Sequence, residues 1–212
     1  MIYCIGNSQA VIFSGNPQAD YQTWPHRRAN LLSGLCVFHL GPALAYNLCV
    51  EGHWSRTALF KVLATEVPPG ANVLLVFGEI DCRAHLLKQA AIQKRSRASV
   101  TAECVLRYGH VLAEVRDAGY RVHAWGVIPS ARNGVHKDVT TSCQDRNGVT
   151  RMFNRLLSAH CYSLGIGFLS IFGDLITPDG LNRTEFYSDG MHLGVQALPL
   201  IQQALESVEG GK

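Results

Sequence analysis

The sequence has no apolar run long enough to cross a bilayer. Its longest apolar stretches, such as residues 73–77, fall far short of the roughly 20 residues that a membrane-spanning helix requires. Its first residues have a strand-like apolar pattern, without the basic segment, apolar core and cleavage site of a secretory signal. We therefore expect no signal peptide, and a cytoplasmic location is the default expectation.

Disulfide, metal and dinucleotide patterns are missing as well. The seven cysteines are odd in number and include no C-x-x-C pair, which argues against a disulfide framework and a structural zinc site. Cys4, Cys36 and Cys49 lie in apolar stretches, which is typical of small buried side chains. No G-x-G-x-x-G follows the first apolar run, so dinucleotide binding is not indicated. The sequence implies no cofactor and no metal.

The chain also lacks a large excess of positive or negative charge. The formal charge of +3 is too small to indicate a nucleic-acid partner, and the most basic segment has no interleaved aromatic residues. That segment, residues 82–102, contains no acidic residue. We interpret it as a solvated helix and loop, with a surface for an anionic substrate, a membrane surface or a partner as the alternative. Its basic residues are Arg83, Lys88, Lys94, Arg95 and Arg97.

What the sequence does contain is the pattern of one α/β domain over residues 1–212. Its 47% of apolar residues can form a full core. Five apolar runs are continuous rather than alternating, as expected for strands buried on both faces. These runs cover residues 1–6, 35–40, 72–77, 120–127 and 165–172.

Helical patterns lie between and after these runs. Apolar residues at helical spacing predict helices over residues 100–118, 147–164 and 194–208. Pro199 is expected to kink the last helix or to delay its start. Strands that alternate with helices predict a three-layer α/β/α sandwich around a five-stranded parallel sheet of flavodoxin-like type.

Chemically useful residues follow the predicted strands. In chain order they are Gly6-Asn7-Ser8, Gly41, Gly78-Glu79-Ile80-Asp81, Ile128-Pro129-Ser130 and, after a long loop, Asp189-Gly190-Met191-His192. The carboxyl ends of parallel strands meet at one edge of a sheet. A serine hydroxyl becomes a good nucleophile when a histidine takes its proton and a carboxylate orients that histidine. We therefore predict that Ser8, His192 and Asp189 meet and support acyl transfer.

Each of these residues also has a plainer interpretation. A serine after a strand is often a helix N-cap, and Asp189-Gly190 is a turn signal. The convergence of all the blocks on strand ends favours the catalytic interpretation. Residues 6–10 approach the G-x-S-x-G elbow of α/β-hydrolases, but that elbow normally lies mid-chain, with its acid and base on separate loops. We therefore reject it.

The blocks resemble those of the SGNH hydrolases, also called the GDSL esterase and lipase superfamily. That superfamily has Gly-Asp-Ser in its first block, a glycine in its second, Gly-x-Asn-Asp in its third and Asp-x-x-His in its last. The same order is found here over nearly the whole chain. The resemblance implies that Ser8 is the nucleophile, Gly41 a backbone donor to the oxyanion, His192 the base and Asp189 its orienting partner.

The resemblance also implies a function. It indicates a serine esterase that hydrolyses a short acyl ester on a carbohydrate or small metabolite through an acyl-serine intermediate. The same triad would serve an O-acyltransferase acting on a glycan. A degenerate member would bind a glycan or a partner without catalysis. Residues 39–48 and 77–85 are similar to a branch associated with bacterial polysaccharide and glycan biosynthesis.

Two residues depart from the superfamily pattern. Asn7 replaces the aspartate beside the serine, although its side chain can still form the local turn. Ile80 replaces the asparagine that normally donates a hydrogen bond to the oxyanion, and the loss of one such donor costs about 100- to 1,000-fold in rate. We expect the amides of Ser8 and Gly41 to remain as donors.

The other residues of the third block are expected to surround the oxyanion and the substrate, together with Gly41. We expect Asp81 to bind neighbouring loop amides and Glu79 to order Arg83 or the loop; a metal site formed by both carboxylates with His85 is the alternative. Arg83 has a long, permanently charged fork. We hypothesise that it reaches the site, either for the oxyanion or for an anionic substrate group. The members of this set are Gly78, Glu79, Asp81 and Arg83.

Overall fold

The computed structural model describes residues 1–17, 23–29, 31–132 and 141–209. Its strands are β1 (Ile2–Gly6), β2 (His26–Arg27), β3 (Leu35–His39), β4 (Asn72–Val76), β5 (Arg121–Trp125) and β6 (Gly167–Leu169). Within these ranges they form one six-stranded sheet in the order β2-β3-β1-β4-β5-β6. Strand β1 therefore lies between β3 and β4.

All five predicted strands are confirmed, and they pair in parallel. Numbered along the chain, these five have the order 2-1-3-4-5, which is the flavodoxin-like order. The prediction of five strands is one short, because β2 pairs antiparallel with β3 at the sheet edge. A strand of two residues has no periodicity, so the hydrophobic pattern carries no signal for it.

The helices are α1 (Trp54–Glu66), α2 (Leu86–Ile92), α3 (Arg97–Asp117), α4 (Cys143–Ser163) and α5 (Leu198–Glu209). The three predicted helices correspond to α3, α4 and α5. Helices α3 and α4 begin earlier than predicted, because Ser96 and Ser142 cap them with side-chain hydrogen bonds. The start of α5 is delayed to Leu198, which puts Pro199 in the first turn, where its missing N–H is tolerated.

The sheet has a hydrophobic core on each face. Helices α1 to α4 cover one face, where Tyr108, Leu112 and Phe153 are fully buried. Helix α5 and the short 3₁₀ helix Ser8–Ser14 cover the other, around Phe13 and Ile201. This is the predicted three-layer sandwich. No helix in the described ranges is both long enough and apolar enough to cross a membrane.

Two tyrosines beside the first core allow a matched test of buried hydrogen bonding. The hydroxyl of Tyr108 is buried and has no hydrogen-bond partner among the described residues, whereas the hydroxyl of Tyr120 donates to the Leu63 carbonyl at 2.9 Å. We expect Tyr108→Phe to keep or raise the free energy of unfolding, by up to about 1 kcal/mol, because it removes an uncompensated polar group. Tyr120→Phe should lower it by about 1 kcal/mol. Urea unfolding measures both; a larger loss for Tyr108→Phe would contradict the interpretation.

Candidate active site

Ser8 lies just beyond the carboxyl end of the central strand β1. The Asn7 side chain accepts a hydrogen bond from the backbone N of Gln9 at 3.0 Å, so Asn7 caps the 3₁₀ helix Ser8–Ser14. The expectation that asparagine preserves this turn is confirmed. Because Asn7 is the cap, the plainer interpretation of Ser8 as a helix cap does not apply, and the Ser8 hydroxyl is left for another partner.

That partner comes from the loop that carries Asp189 and His192. Asp189 Oδ1 accepts hydrogen bonds from the backbone N of Met191 at 2.9 Å and of His192 at 2.7 Å. Its Oδ2 lies 2.7 Å from His192 Nδ1, and His192 Nε2 lies 2.9 Å from Ser8 Oγ. With Asp189 ionised, Nδ1 donates to the carboxylate and Nε2 accepts from the serine hydroxyl. This is the arrangement that a Ser-His-Asp triad requires.

The surroundings of Asp189 keep its carboxylate charged. Burial acts to raise its pKa, but hydrogen bonds from the His192 ring and from the amides of His192 and Met191 outweigh burial and hold the pKa below its ordinary value. A carboxylate that stays ionised fixes the tautomer of the histidine. It would also stabilise the imidazolium that forms when the histidine takes a proton.

Hydrogen bonds from outside the loop hold it in place. Gln9 Nε2 donates to the Met191 carbonyl at 3.2 Å, which joins the helix carrying Ser8 directly to the loop. The Tyr187 hydroxyl donates to the Pro129 carbonyl at 2.6 Å. Sequence reasoning missed Gln9 and Tyr187, because their partners lie 182 and 58 positions away and leave no local pattern.

Ser8 and His192 open onto a cavity of about 210 Å³. Its wall combines a few polar side chains with a larger apolar part contributed by Trp24, Pro42, Ile80 and Met191. The residues that line it are Ser8, Trp24, His39, Gly41, Pro42, Ile80, Arg83, Met191 and His192. A small cavity with an apolar wall beside a serine suits a compact acyl group.

Gly41 and Trp24 form one side of this cavity. Gly41 has φ +73°, and a Cβ added to it would lie 2.5 Å from the indole of Trp24. Only glycine accepts both the backbone conformation and this close approach. Trp24 is a third residue that sequence reasoning missed, since it lies in a segment without a regular pattern.

The third block divides its residues between several places. Ile80 and Arg83 line the cavity with Ser8. Glu79 holds Arg83, with Glu79 Oε1 2.6 Å from Arg83 Nε and Oε2 3.4 Å from Nη2. Gly78 is not among the residues that line the cavity, and a Cβ added to it would meet Phe153 and Val127. Asp81 lies away from the cavity as well, between the second and third blocks.

Asp81 joins the third block to the segment that follows Gly41. Its Oδ2 accepts from the Ala45 amide at 2.9 Å and its Oδ1 from the Tyr46 amide at 3.1 Å, as the sequence led us to expect. Burial raises the pKa of Asp81, and the two amides act against that rise. Both carboxylates of the block are thus committed to protein partners. Among the described residues, no cluster of histidine, cysteine and acidic side chains is arranged to hold a metal ion.

Solved structures show which known proteins have this architecture. A carbohydrate acetylesterase from Sinorhizobium meliloti matches with a TM-score of 0.61 at 16% identity, over 98% of this chain and 97% of that one. An aryl esterase from M. smegmatis matches with a TM-score of 0.59 at 17% identity, over 97% and 98% of the two chains. A GDSL-like lipase from Bacteroides thetaiotaomicron has a TM-score of 0.61 at 10% identity, over 98% and 86%. No protein-family model and no curated protein sequence matches the chain.

The chain has the SGNH hydrolase fold. The resemblance read from the sequence blocks and the likeness in three dimensions therefore agree on the architecture. Ile80, which the block pattern of the sequence puts in place of an asparagine, contributes an apolar side chain to the cavity. The side-chain donor expected at that position is missing, and Arg83 is the neighbouring side chain of the same block that carries N–H groups to the cavity wall.

We expect Asp81→Ala to destabilise the protein strongly. It would leave the amides of Ala45 and Tyr46 without their acceptor, and each buried unsatisfied group costs about 1–3 kcal/mol, so the free energy of unfolding should fall by about 2–4 kcal/mol. The matched control is Asp117→Ala, since Asp117 makes an exposed ion pair with its neighbour Arg116 and should change stability by less than about 0.5 kcal/mol. If urea unfolding gives the same loss of stability for both substitutions, the hydrogen bonds of Asp81 to the Ala45 and Tyr46 amides do not hold the two segments together as we infer.

Proposed function

We propose that this chain is an SGNH serine hydrolase that cleaves a short acyl ester of a carbohydrate or small metabolite. The observation that carries the proposal is the hydrogen-bonded array of Ser8, His192 and Asp189 at the mouth of a cavity. The fold adds support, because proteins with this architecture include a carbohydrate acetylesterase and an aryl esterase. The cavity of about 210 Å³ suits an acyl group of a few carbon atoms better than a long chain.

The reaction would run in two halves. Ser8 Oγ attacks the ester carbonyl carbon while His192 Nε2 takes the hydroxyl proton. The tetrahedral intermediate then collapses, the C–O bond to the alcohol breaks, and His192 returns the proton to the leaving oxygen. In the second half, His192 takes a proton from water, the hydroxide attacks the acyl-serine, and Ser8 leaves with the proton. The products are the alcohol and the free acid.

The oxyanion would be stabilised mainly by backbone amides. The amides of Ser8 and Gly41 are the donors that the block pattern leaves after the third-block asparagine is lost. A missing donor lowers the rate by about 100- to 1,000-fold without abolishing it. We therefore expect a slow esterase on simple substrates.

Two other functions use the same residues. An O-acyltransferase would transfer the acyl group from Ser8 to a sugar hydroxyl instead of water, with the same proton transfers through His192. A binding protein without catalysis is favoured by one observation, namely the apolar Ile80 at the position of an oxyanion donor. The esterase and the acyltransferase both require a reactive Ser8, whereas the binding function does not.

Labelling with a fluorophosphonate tests the proposed nucleophile. We expect the protein to form a covalent adduct at Ser8, because the probe needs a serine whose proton is accepted by a histidine. Ser8→Ala and His192→Ala should both lose labelling, and Ser163→Ala is the control, since the Ser163 hydroxyl is exposed at the end of α4 and donates to the His160 carbonyl. Unlabelled wild-type protein that is shown to be folded, across several probes, would favour the binding function.

Restoring the side-chain donor should accelerate the reaction. We expect Ile80→Asn to raise kcat on an aryl acetate by about 10-fold or more, which is a part of the 100- to 1,000-fold that one oxyanion donor contributes. Ile80→Leu is the control, because it keeps the volume and adds no donor. The measurement is steady-state hydrolysis; equal rates for the two variants would show that position 80 does not face the oxyanion.

A further inference from the structure

In the ranges that the structure describes, the wall of the proposed acyl-transfer cavity contains a positively charged side chain and no negatively charged one. Among the described residues that line it, Arg83 carries a permanent positive charge, and none is a carboxylate. The carboxylate of Asp189 is turned to the His192 ring and the loop amides. A neutral ester could use this guanidinium only for the oxyanion that forms during the reaction, whereas an ester with its own anionic group would also bind to it directly in the ground state.

Glu79 holds the guanidinium of Arg83 in a fixed orientation. Arg83 Nε lies 2.6 Å from Glu79 Oε1, and Arg83 Nη2 lies 3.4 Å from Glu79 Oε2. The side chain of Glu79 is 7% exposed and that of Arg83 is 13% exposed. Glu79 and Arg83 are at positions i and i+4, and Arg83 belongs to the helical turn Asp81–His85, which Asp81 holds to the segment after Gly41. In the described part of the chain, Nη1 and the second Nη2 hydrogen have no hydrogen-bond partner, so they are the donors that remain for a ligand. A pre-oriented guanidinium loses little side-chain entropy on binding.

A second guanidinium, that of Arg146, lies close enough to Arg83 and Glu79 for their charges to interact. Arg146 is 2% exposed and donates to the carbonyls of Thr141 and Ala131 rather than to a carboxylate. Burial lowers the pKa of Arg146, and the nearby charges of Arg83 and Glu79 act on it in opposite directions. Glu79 therefore has two guanidinium groups near it and, among the described residues, its carboxylate contacts only that of Arg83 at hydrogen-bond distance.

We propose that the natural substrate is an anionic ester whose oxyanion group, a carboxylate or a phosphate, binds Arg83 while Ser8 attacks the ester carbonyl. The inference rests on the proposed esterase function and adds the charge of the substrate to it. It assigns Arg83 to substrate recognition, whereas a donor to the reaction oxyanion would act on every ester alike. The anion is attached either to the acyl part or to the alcohol part of the ester, and the substrates below separate these two cases.

Steady-state hydrolysis of three esters tests the assignment. The esters are a neutral aryl acetate, an aryl hemisuccinate with its carboxylate on the acyl side, and the acetyl ester of a hydroxycarboxylic acid with its carboxylate on the alcohol side. We expect the wild-type protein to prefer one anionic ester in kcat/KM. Arg83→Met should lower kcat/KM for that ester by about 10- to 100-fold, mainly through KM, since a charge-assisted hydrogen bond contributes that much. The neutral acetate should change by less than about threefold, and Arg83→Lys should restore part of the preference.

Two variants keep the test independent of folding. Glu79→Gln combined with Arg83→Met avoids leaving a buried carboxylate without its partner, and it should lose the same preference. Arg97→Met is the matched control, because Arg97 makes an exposed ion pair with Asp145 away from this cavity. Equal loss on the neutral and anionic esters in the Arg83 variants would overturn the proposal and make Arg83 an oxyanion donor. An unchanged preference would overturn it as well.

Binding separates the failure of this inference from the failure of the esterase function. Ser8→Ala protein should bind monomethyl succinate or O-acetylglycolate in calorimetry, and Ser8→Ala with Arg83→Met should bind it at least 10-fold more weakly. If the wild-type protein cleaves no ester and takes no fluorophosphonate label, the esterase proposal fails, while this difference in binding still supports an anion site at Arg83. Equal or absent binding in both proteins would overturn the anion site, whatever the outcome of the labelling.

Discussion

The position of β1 between two parallel strands is the constraint on which the candidate site depends. Gly6 at the end of β1 aligns with His39 of β3 on one side and with Val76 of β4 on the other. The three strands therefore end level with one another, and the chain segments that follow them emerge side by side. An added Cβ at Gly6 would lie 2.3 Å from the Val76 carbonyl oxygen, so glycine allows β1 and β4 to approach closely at this level. Ser8, Gly41 and Ile80 share one cavity for this reason.

Three carboxylates hold the segments that follow the strand ends in position. Asp189, Asp81 and Glu79 each hold a loop or a side chain through at least two hydrogen bonds. Their electrostatic settings differ, because hydrogen bonds lower the pKa of Asp189 whereas burial raises the pKa of Asp81. The partly exposed carboxylate, that of Asp189, faces a histidine, and the proposed triad requires it to be charged. The buried carboxylate of Asp81 accepts hydrogen bonds from two backbone amides instead.

Local patterns account for the parts of the molecule that could be predicted from sequence. The five long strands and helices α3, α4 and α5 follow from continuous or periodic apolar runs, and the meeting of Ser8 with Asp189 and His192 follows from parallel strands ending at one edge. The catalytic roles of these three residues remain predictions. The start of α5 was delayed as expected, since Pro199 fits only the first turn of a helix.

Features that depend on distant partners could not be predicted in the same way. Gln9 reaches Met191 across 182 positions, Trp24 packs on Gly41 from a segment without periodicity, and β2 is too short to have a pattern. Gly78 has the same residue type and setting as Gly41, yet it faces the helical layer. The difference depends on how the β4 end packs against Phe153, which only the folded chain determines.

The placement of Trp24 gives the cavity an optical property of its own. Of the three tryptophans in the sequence, Trp125 is 3% exposed in the core and Trp54 is 46% exposed on α1, outside the cavity lining. Trp24 is 42% exposed and lines the cavity beside His39. Indole emission responds to the polarity of its surroundings. A molecule that displaces solvent from the cavity therefore alters the environment of one tryptophan and leaves the other two unchanged, so the intact chain contains its own fluorescent reporter of occupancy.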